Sequence, residues 1–396
     1  MNTLLNLIGR KSNLFDDDIK RNEKKIRGII QNSSFIVIGG AGSIGSSVVK
    51  EIFKRDPKKL HVIDINENNL TELVRDIRSQ FGYIKGEFRT FALDVGSTEY
   101  DAFIHSDGSY DFVLNLSALK HVRSEKDPYT LMRLINVNIF NTDKTIRQAI
   151  ENKTKKYFCV STDKATNPVN LMGASKRIME MYLISRSSNI DVSTARFANV
   201  AFSDGSLLHG FDNRIKKRQP IAAPIDIKRY FLTPQESGEL CLLSCIFGDN
   251  RDIFFPKLDK SKNLLSFSDL AIKYLHEKGY EAHVCESEDE ARKLIKTLPE
   301  NKKWPCLFTK SNTTGEKAIE EFFTKNEIVN MDRFINLGII KNNLEDHHKK
   351  LNDFEGIINK LKSNMAWDKK LIVDEFKKLI PDFNYSDNEK YLDGKM

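Results

Sequence analysis

Two patterns of hydrophobic and polar positions alternate along the chain from residue 34 to about residue 250. Short apolar runs, typical of buried parallel strands, are followed by segments whose apolar residues recur at helical spacing. This alternation predicts an α/β fold with a doubly wound parallel sheet. The predicted strands are Phe35–Gly39, Lys59–Asp64, Arg89–Asp94, Phe112–Leu116, Tyr157–Val160 and Asp191–Arg196, and helices between them include Ser43–Lys54, Asn69–Phe81 and Pro128–Glu151.

The segments outside this alternation predict additions to the sheet. Residues 1–33 are polar and amphipathic, which indicates an N-terminal helical extension before a sheet-forming domain at 34–209. From Gly210 onward, prolines interrupt a less regular pattern, which predicts a smaller substrate-binding lobe at 210–325 with some segments returning to the sheet. Residues 326–396 are mostly polar with apolar positions at helical spacing, and predict a C-terminal helical extension.

Four charged residues near the end of the lobe have the i, i+4 spacing of a helix surface. Side chains at this spacing are neighbours on one helix face and form ion pairs. We therefore predict exposed helical pairs among Glu316, Lys317, Glu320 and Glu321.

The composition argues against several classes of protein. The 396 residues carry a net charge of +7, but basic and acidic residues are interleaved without a one-signed stripe, so no nucleic-acid binding is expected. No apolar run reaches the ~18 residues of a membrane span, and the first residues lack the features of a signal peptide. The five cysteines are scattered without metal spacing, and Cys241 and Cys245 suit a helix core, so we expect a reduced cytoplasmic protein and no metal site.

A glycine-rich turn follows the first predicted strand. The sequence GGAGSIG contains Gly39, Gly42 and Gly45, with Ser43 and Ile44 at the start of the next helix. Glycine permits positive φ and a close backbone approach, and the helix N-terminus directs its amides at a pyrophosphate. Because the turn lies between a strand and a helix, it predicts a Rossmann-type dinucleotide site rather than a loop of structural glycines.

Residues at the next strand ends complete this predicted site. Asp64 ends the second strand, 19 residues after Gly45, where an acid binds ribose hydroxyls and repels the 2′-phosphate of NADP. Asp94, at the end of the third strand, would bind the adenine amino group or cap a helix. Ser117 and Ala118, after the fourth strand, would line the nicotinamide side. The predicted cofactor is therefore NAD.

The fifth predicted strand leads into the segment STDKATNPVNLMGASK. Thr162, Asp163 and Lys164 follow the apolar run, so a buried parallel strand would present them at its carboxyl end. Lys176 lies one helical turn after Met172. Adjacent acid and base side chains suit proton transfer, whereas methionine carries no proton. The alternatives are a surface ion pair at 163 and 164 and plain core packing at 172.

Together these segments resemble the nucleotide-sugar 4,6-dehydratases of the extended short-chain dehydrogenase/reductase superfamily, in the polysaccharide-biosynthesis branch acting on UDP-N-acetylglucosamine. The resemblance spans Phe35 to Phe323. Met172, where a tyrosine is usual, resembles the configuration-retaining subgroup, and the insert at 257–312 with the helical tail resembles soluble proteins of legionaminic-type acid gene sets. The matching pieces are GGAGSIG, DINENNL, LSALKHV, NVN, STDKATNPVNLMGASK, RFANVAFSDGS, KRYFLT and GEKAIEEFF.

The resemblance implies an NAD-dependent lyase that converts a nucleotide-activated N-acetylhexosamine, UDP-N-acetylglucosamine first, to the 4-keto-6-deoxy sugar with retained C5 configuration. Lys164 would be the base at C5, Asp163 the acid for the departing C6 hydroxyl, and Thr162 a hydrogen-bond partner of the C4 hydroxyl. Lys176 would hold the nicotinamide ribose, and Met172 would pack against the sugar or nicotinamide. The route of the C4 hydroxyl proton stays open between Asp163, Lys164 and a water held by Thr162.

The same resemblance implies substrate-binding residues. Lys120 and His121 lie in a segment that lines the sugar pocket in relatives, although a lone histidine is also often structural. Asn199 and Ser206 lie in a segment that meets the nucleotide and diphosphate. Arg229 has a planar fork suited to paired phosphate oxygens, or else anchors a surface loop. Relatives of this type also imply a homo-oligomer.

Two departures keep alternatives open. Thr313-Thr314 precede the GEK motif where many relatives have Arg-Pro, so one nucleotide-binding arginine is missing. Some legionaminic-type proteins use another nucleotide, which makes GDP-N-acetylglucosamine an alternative substrate. A sugar epimerase or 4-reductase on this fold would normally have a tyrosine at 172, and a non-catalytic NAD- or sugar-binding regulator would not need an intact acid and base.

Overall fold

The computed structural model of the protein describes residues 3–259, 263–313, 315–344 and 347–386. Its strands are numbered along the chain. They are β1 (Ser34–Ile38), β2 (Lys59–Asp64), β3 (Glu87–Ala92), β4 (Phe112–Asn115), β5 (Lys156–Thr162), β6 (Asp191–Phe197), β7 (Asn199–Val200), β8 (Ile221–Pro224), β9 (Lys228–Arg229), β10 (Phe231–Leu232), β11 (Asp252–Pro256), β12 (Leu265–Ser266), β13 (Glu281–Val284), β14 (Lys303–Thr309), β15 (Ile328–Asn330) and β16 (Leu337–Lys341).

The described residues form a central sheet of nine strands in the order β15-β16-β11-β6-β5-β4-β1-β2-β3. All neighbours from β3 to β11 are parallel, and β16 and β15 add two antiparallel strands at one edge. All six predicted strands are present, each within a few residues of its predicted bounds. The sequence therefore predicted the parallel core correctly.

The helices are also numbered along the chain, and none of those that the structure describes combines the length and apolar character of a membrane crossing. They are α1 (Thr3–Leu7), α2 (Asp16–Gln31), α3 (Ser43–Phe53), α4 (Glu67–Phe81), α5 (Thr98–Asp107), α6 (Pro128–Ile135), α7 (Asn141–Glu151), α8 (Leu171–Arg186), α9 (Leu207–Lys216), α10 (Pro234–Phe247), α11 (Phe267–Glu277), α12 (Glu288–Leu294), α13 (His348–Ser363) and α14 (Lys369–Leu379).

Helices cover both faces of the central sheet, which makes it doubly wound. Successive residues of β5 point to opposite faces. Phe158 packs into a core with α3, α4 and α10, whereas Tyr157 and Cys159 pack into a core with α5, α7 and α8. Helices α6 and α7 are joined by one π-helical turn at Asn136–Phe140, so the long helix predicted at 128–151 is continuous.

A smaller lobe has a core of its own. Residues of α9, α11 and the small sheet β13-β14-β8 form this second apolar cluster, with Trp304 among its buried side chains. Helix α10 and strand β11 interrupt the lobe in sequence and return to the central sheet. The N-terminal helices divide between the two cores, because α1 joins the lobe cluster and α2 the sheet cluster.

The C-terminal part differs from the sequence prediction. Residues 326–396 were expected to be mostly helical, but β15 and β16 come first and extend the central sheet. Buried Leu337, Ile339 and Ile340 explain why this apolar run pairs with β11 rather than forming a helix. The helical prediction holds from His348, where α13 and α14 pack against α6 and α8 through Leu351 and other apolar residues.

Candidate active site

Two adjoining cavities lie at the carboxyl ends of the parallel strands, where the strand order reverses between β1 and β4. Ligands of open α/β sheets bind at such reversal points. The first, called the β5 cavity, has a volume of about 460 Å³, with Thr162 and Lys164 in its wall. The second, called the β2 cavity, measures about 740 Å³, with Asp64 in its wall. Gly39 and Gly42 belong to both walls.

The glycine turn leaves no room for side chains at two positions. Gly39 has a φ of 72°, and a Cβ atom on it would lie 2.7 Å from the backbone nitrogen of Ser117. A Cβ on Gly45 would lie 2.1 Å from the carbonyl oxygen of Gly39. Helix α3 begins at Ser43, and its first residues, including Ile44, line the β5 cavity. A helix N-terminus in this position suits a pyrophosphate.

Two carboxylates at strand ends lie in the wall of the β2 cavity, as predicted. Asp64 Oδ2 accepts a hydrogen bond from the N–H of Ala41 in the glycine turn (3.0 Å). Asp94 Oδ1 accepts one from the N–H of Gly96 (2.8 Å). Asp64 is thereby held beside the turn, where its charge favours ribose hydroxyls and disfavours a 2′-phosphate. The residues of this cavity fit NAD.

The end of β4 forms the wall between the cavities. Asn115 is fully buried, and its Oδ1 accepts hydrogen bonds from the N–H and the hydroxyl of Ser117 (3.1 and 2.7 Å). Ser117 lies in the wall of the β2 cavity, and Ala118 lies in both walls. These residues occupy the junction where the predicted nicotinamide side would begin.

Two cationic side chains in the β2 cavity were missed by the sequence analysis. Arg133 of α6 and Lys362 of α13 lie in its wall. Lys362 Nζ donates to Asn136 Oδ1 (3.0 Å) and lies 5.7 Å from the ring centre of Phe140. Because Lys362 comes from the C-terminal helices, only tertiary packing brings it to this cavity.

The β5 cavity collects most of the predicted catalytic residues. Asp163 is 2% exposed and does not reach the wall, but its Oδ1 accepts hydrogen bonds from the Thr162 hydroxyl (2.9 Å) and the Lys164 ammonium (3.1 Å). Asp163 is therefore connected to the cavity through Thr162, which lies in the wall. The predicted catalytic residues in the wall are Thr162, Lys164, Met172 and Lys176.

Helix α8 holds the last two of these residues. Asn170 caps the helix by accepting a hydrogen bond from Gly173 N–H (2.7 Å), and Glu125 Oε1 accepts the N–H of Met172 (2.8 Å). Lys176 is 4% exposed, and its Nζ donates to the Val160 carbonyl (3.0 Å). Burial lowers the pKa of the Lys176 ammonium. Lys176 is therefore held at the end of β5 by a carbonyl, with no carboxylate hydrogen-bonded to it.

The segment around the GEK motif packs against this strand end. The described residues between β14 and β15 contain no helix, so the prediction of exposed helical pairs at 316–321 was wrong. Asn170 Nδ2 donates to the Gly315 carbonyl (2.8 Å), and Lys317 Nζ donates to the Thr166 carbonyl (2.9 Å). These two contacts hold the segment in place.

This packing buries an acid that sequence reasoning placed on the surface. Glu320 is 3% exposed, and its Oε1 lies 3.8 Å from Lys164 Nζ. The GEK motif was the only sequence signal that could have pointed to it. The ammonium of Lys164 consequently lies between two buried carboxylates, those of Asp163 and Glu320.

Four of the predicted substrate residues line the β5 cavity. The His121 ring packs against Gly205, where a Cβ would lie 2.7 Å from the ring. Burial lowers the pKa of His121, and the neighbouring Lys120 lowers it further, so the imidazole is neutral at neutral pH. Burial also lowers the pKa of Lys120. The four residues are Lys120, His121, Asn199 and Ser206.

The fifth predicted substrate residue, Arg229, is not among the residues of the cavity wall. Its side chain is buried, and Nη1 donates to the carbonyls of Lys228 and Ala318 (2.9 and 3.1 Å). Nη2 lies 3.7 Å from Glu316 and 3.8 Å from Glu320. A diphosphate would have to compete with these partners, so the geometry favours the anchoring alternative.

A buried network of ion pairs connects β5 with the neighbouring strand β6 and helix α8. Arg196 of β6 donates to Glu180 of α8 (3.0 and 2.8 Å) and to Glu327 (3.0 and 2.8 Å), and the Ser161 hydroxyl donates to Glu180 (2.7 Å). Burial works against the charge of Glu180, but Arg196 outweighs it and lowers the pKa of Glu180 to about 2. Glu180 is therefore ionised at neutral pH and ties α8 to β5 and β6.

One group of described side chains outside the cavities has metal-binding chemistry, which the sequence did not predict. The ligand atoms of His283, Cys285 and Glu290 lie within 4.8 Å of one another. Glu290 Oε2 accepts the N–H of Glu286 (2.7 Å). None of these residues lines either cavity, so the group is separate from the β5 and β2 cavities.

The strand order and the glycine turn define a Rossmann-type α/β protein with a dinucleotide site at the carboxyl ends of its parallel strands. Residues 35–341 match the family described as "Polysaccharide biosynthesis protein". The chain belongs to this family.

Proteins with similar sequences align with most of the chain. The chain is 31% identical to an uncharacterized membrane protein of Methanocaldococcus jannaschii, over 80% of this chain and 87% of the relative. It is 28% identical to the capsular polysaccharide biosynthesis protein CapD of Staphylococcus aureus, over 76% of this chain and 46% of CapD. The chain thus spans about half the length of CapD.

Solved structures share the fold. Pen from Bacillus thuringiensis superposes with a TM-score of 0.64 at 24% identity, covering 80% of this chain and 89% of Pen. DesIV from Streptomyces venezuelae, a dTDP-glucose 4,6-dehydratase solved with NAD and TYD bound, superposes with a TM-score of 0.54 at 17% identity, covering 73% of this chain and 88% of DesIV.

Proposed function

We propose that the protein catalyses the NAD-dependent 4,6-dehydration of a nucleotide-activated N-acetylhexosamine, UDP-N-acetylglucosamine first, to the 4-keto-6-deoxy sugar with retained C5 configuration. The product would serve surface polysaccharide, glycan or nonulosonic acid biosynthesis. The proposal is carried by the contact of Thr162, Asp163 and Lys164 beside a cavity that adjoins the dinucleotide turn. An acid and a base in contact are what elimination and reprotonation require. The family match and the dehydratase activity named for DesIV support it.

Gly39, Gly42 and Asp64 would hold NAD, whose nicotinamide would supply the capacity to accept a hydride from sugar C4 and to give it up again at C6. Lys164, as a neutral amine, would remove the C5 proton, which the neighbouring C4 carbonyl acidifies. It would then return a proton to the same face of C5, so the configuration is retained. Lys164 lies in the cavity wall, which supports this role.

The contacts of Thr162 support one of the routes left open for the C4 hydroxyl proton. Thr162 lies in the cavity wall, and its hydroxyl donates to Asp163 Oδ1. Thr162 would pass the C4 hydroxyl proton to Asp163, and Asp163 would later supply a proton to the departing C6 hydroxyl. One proton is released at C4 and one is consumed at C6, so the cycle needs none from solvent. Met172 would pack against the ring without exchanging protons.

Product mass tests this proposal against its alternatives. The purified protein is incubated with NAD and either UDP- or GDP-N-acetylglucosamine, and the products are analysed by mass spectrometry. Loss of one water from either nucleotide sugar is the expected result, and the substrate that loses it identifies the nucleotide. An isomer of unchanged mass would instead support an epimerase. No product from either nucleotide sugar would contradict the proposal and favour a non-catalytic regulator.

A further inference from the structure

Glu320 is a buried acid whose surroundings leave its charge poorly compensated. Its Oε1 lies 3.8 Å from both Lys164 Nζ and Arg229 Nη2, and its Oε2 lies 3.9 Å from Lys317 Nζ. All three separations exceed hydrogen-bond distance. Oε2 is fully buried and accepts no hydrogen bond. The charge of a buried carboxylate in this state raises the free energy of the folded protein, and taking up a proton removes that charge.

The other cations facing Glu320 have partners of their own. Arg229 donates to two backbone carbonyls and lies equally near Glu316, and Lys317 donates to the Thr166 carbonyl. On the other side, the buried Asp163 carboxylate repels a charge on Glu320. Burial is the largest influence and raises the pKa of Glu320; Asp163 raises it further, against the lowering effect of the three cations.

Whereas Glu320 favours taking up a proton, Lys164 has to lose one before it can act as a base. A base for the C5 proton has to be neutral, yet Lys164 Nζ donates to Asp163, which stabilises its ammonium form. The proton therefore needs a nearby acceptor within the site. Asp163 is already engaged by Thr162 and is needed for the proton from C4. Glu320 is the other buried carboxylate beside Nζ, and the long lysine side chain has the freedom to shorten the 3.8 Å separation.

We propose that Glu320 is a positioning residue that takes the ammonium proton of Lys164, so that Lys164 is a neutral amine when the C5 proton is removed. This inference rests on the proposed function. One N–H bond of Lys164 breaks, its electron pair stays on Nζ, and one O–H bond forms on Glu320. The pair has zero net charge before and after. When Lys164 has returned a proton to C5 of the sugar, Glu320 gives its proton back.

The test compares Glu320→Gln with the wild type in the dehydration assay over a range of pH. Glutamine keeps the shape of glutamate but takes up no proton, so Lys164 has to lose its proton to water. We expect kcat at pH 7 to fall by about 100-fold and then to rise about tenfold per pH unit as the pH is raised, because each unit increases the fraction of neutral amine tenfold. Exchange of the C5 proton with solvent should slow in parallel, while NAD affinity stays unchanged.

Two further variants separate this role from a structural one. Glu321→Gln changes the neighbouring exposed glutamate and should behave as the wild type. Glu320→Asp keeps a carboxylate and should restore part of the rate and the wild-type pH profile. A wild-type pH profile in Glu320→Gln would overturn the inference. A pH-independent loss of rate with a lower unfolding temperature would also overturn it, in favour of a structural role.

The same assay distinguishes the inference from the function on which it rests. If the wild type removes no water from any nucleotide sugar, the proposed function fails and this inference fails with it. If the wild type is active and Glu320→Gln keeps its pH profile, only the role of Glu320 is wrong.

Discussion

The side chains at the end of β5 form one connected set of proton donors and acceptors. Thr162 and Lys164 both donate to Asp163, and Glu320 lies on the other side of the Lys164 ammonium. Such a set suits a reaction in which protons leave and return within one cycle.

At the same scale, Lys164→Ala should abolish the exchange of the C5 proton into solvent, because it removes the amine that we assign as the base at C5. Lys155→Ala, an exposed lysine at the other end of the strand, is the control. Met172→Ala should lower turnover by less than about tenfold, since methionine transfers no proton. Isotope exchange at C5 measures the first effect and steady-state kinetics the second. An active Lys164→Ala enzyme would refute the assignment of the base.

Asp64→Ala should weaken NAD binding by roughly 10- to 100-fold and reduce the preference for NAD over NADP, because a charged partner of the ribose is lost. Glu67→Ala removes an exposed charge three residues further on and should leave both affinities unchanged. Titration calorimetry with each dinucleotide provides the measurement. Equal affinity of the wild type for NAD and NADP would contradict the role given to Asp64.

At the scale of elements, the close packing of α10 against α3 buries a second acid, Glu239. A Cβ on Gly238 of α10 would lie 2.7 Å from the Ser47 carbonyl of α3, so the two helices approach closely. Glu239 beside it is 2% exposed; Gln235 donates to its Oε1 (2.9 Å), and its Oε2 has no hydrogen-bond partner. Burial raises the pKa of Glu239 to about 7.

This shift predicts a pH-dependent stability. The folded-state pKa of Glu239 lies above its ordinary value. The contribution of protonated Glu239 to the free energy of unfolding is therefore fully present below about pH 4.5 and is lost as the pH rises through about 7. Glu239→Gln should therefore stabilise the protein at pH 8, by at most roughly 3 kcal/mol, and change little at pH 5. Thermal unfolding at both pH values measures this, with exposed Glu151→Gln as control. An equal effect at both pH values would contradict it.

At the scale of the whole molecule, the C-terminal helices connect the outer surface with the predicted cofactor site. Leu351, Phe354 and Ile358 of α13 pack into one apolar cluster with Leu171 and Ile178 of α8, the helix that holds Met172 and Lys176. Further along, α13 brings Lys362 into the wall of the β2 cavity. The extension is therefore part of the site and not only an appendage.

Lys362→Ala should weaken NAD binding by about 3- to 10-fold, because a cation next to the dinucleotide and its hydrogen bond to Asn136 are lost. The rise in unfolding temperature on adding NAD should shrink accordingly. Lys360→Ala, on the exposed side of the same helix, should keep the full rise. If NAD raises the unfolding temperature of Lys362→Ala as much as that of Lys360→Ala and the wild type, Lys362 has no part in cofactor binding.

The sequence by itself determined the features that depend on neighbouring residues. The glycine turn, Asp64 and the Thr162–Lys164 cluster each lie next to a strand whose apolar run is visible in the sequence, and the carboxyl ends of parallel strands meet at one edge. The predicted strands were therefore enough to place most of the predicted residues in the cavity walls.

Only the tertiary structure decided what the returning segments do. Glu320 had the spacing of an exposed helix but is buried against Lys164, and Arg229 is held by the same segment instead of lining the cavity. Residues 328–341 form two strands because the edge of β11 offers backbone partners that no local pattern reveals. Burial and long-range pairing depend on which distant segments meet, and that information lies in the packing of the whole chain and not in the spacing of residues.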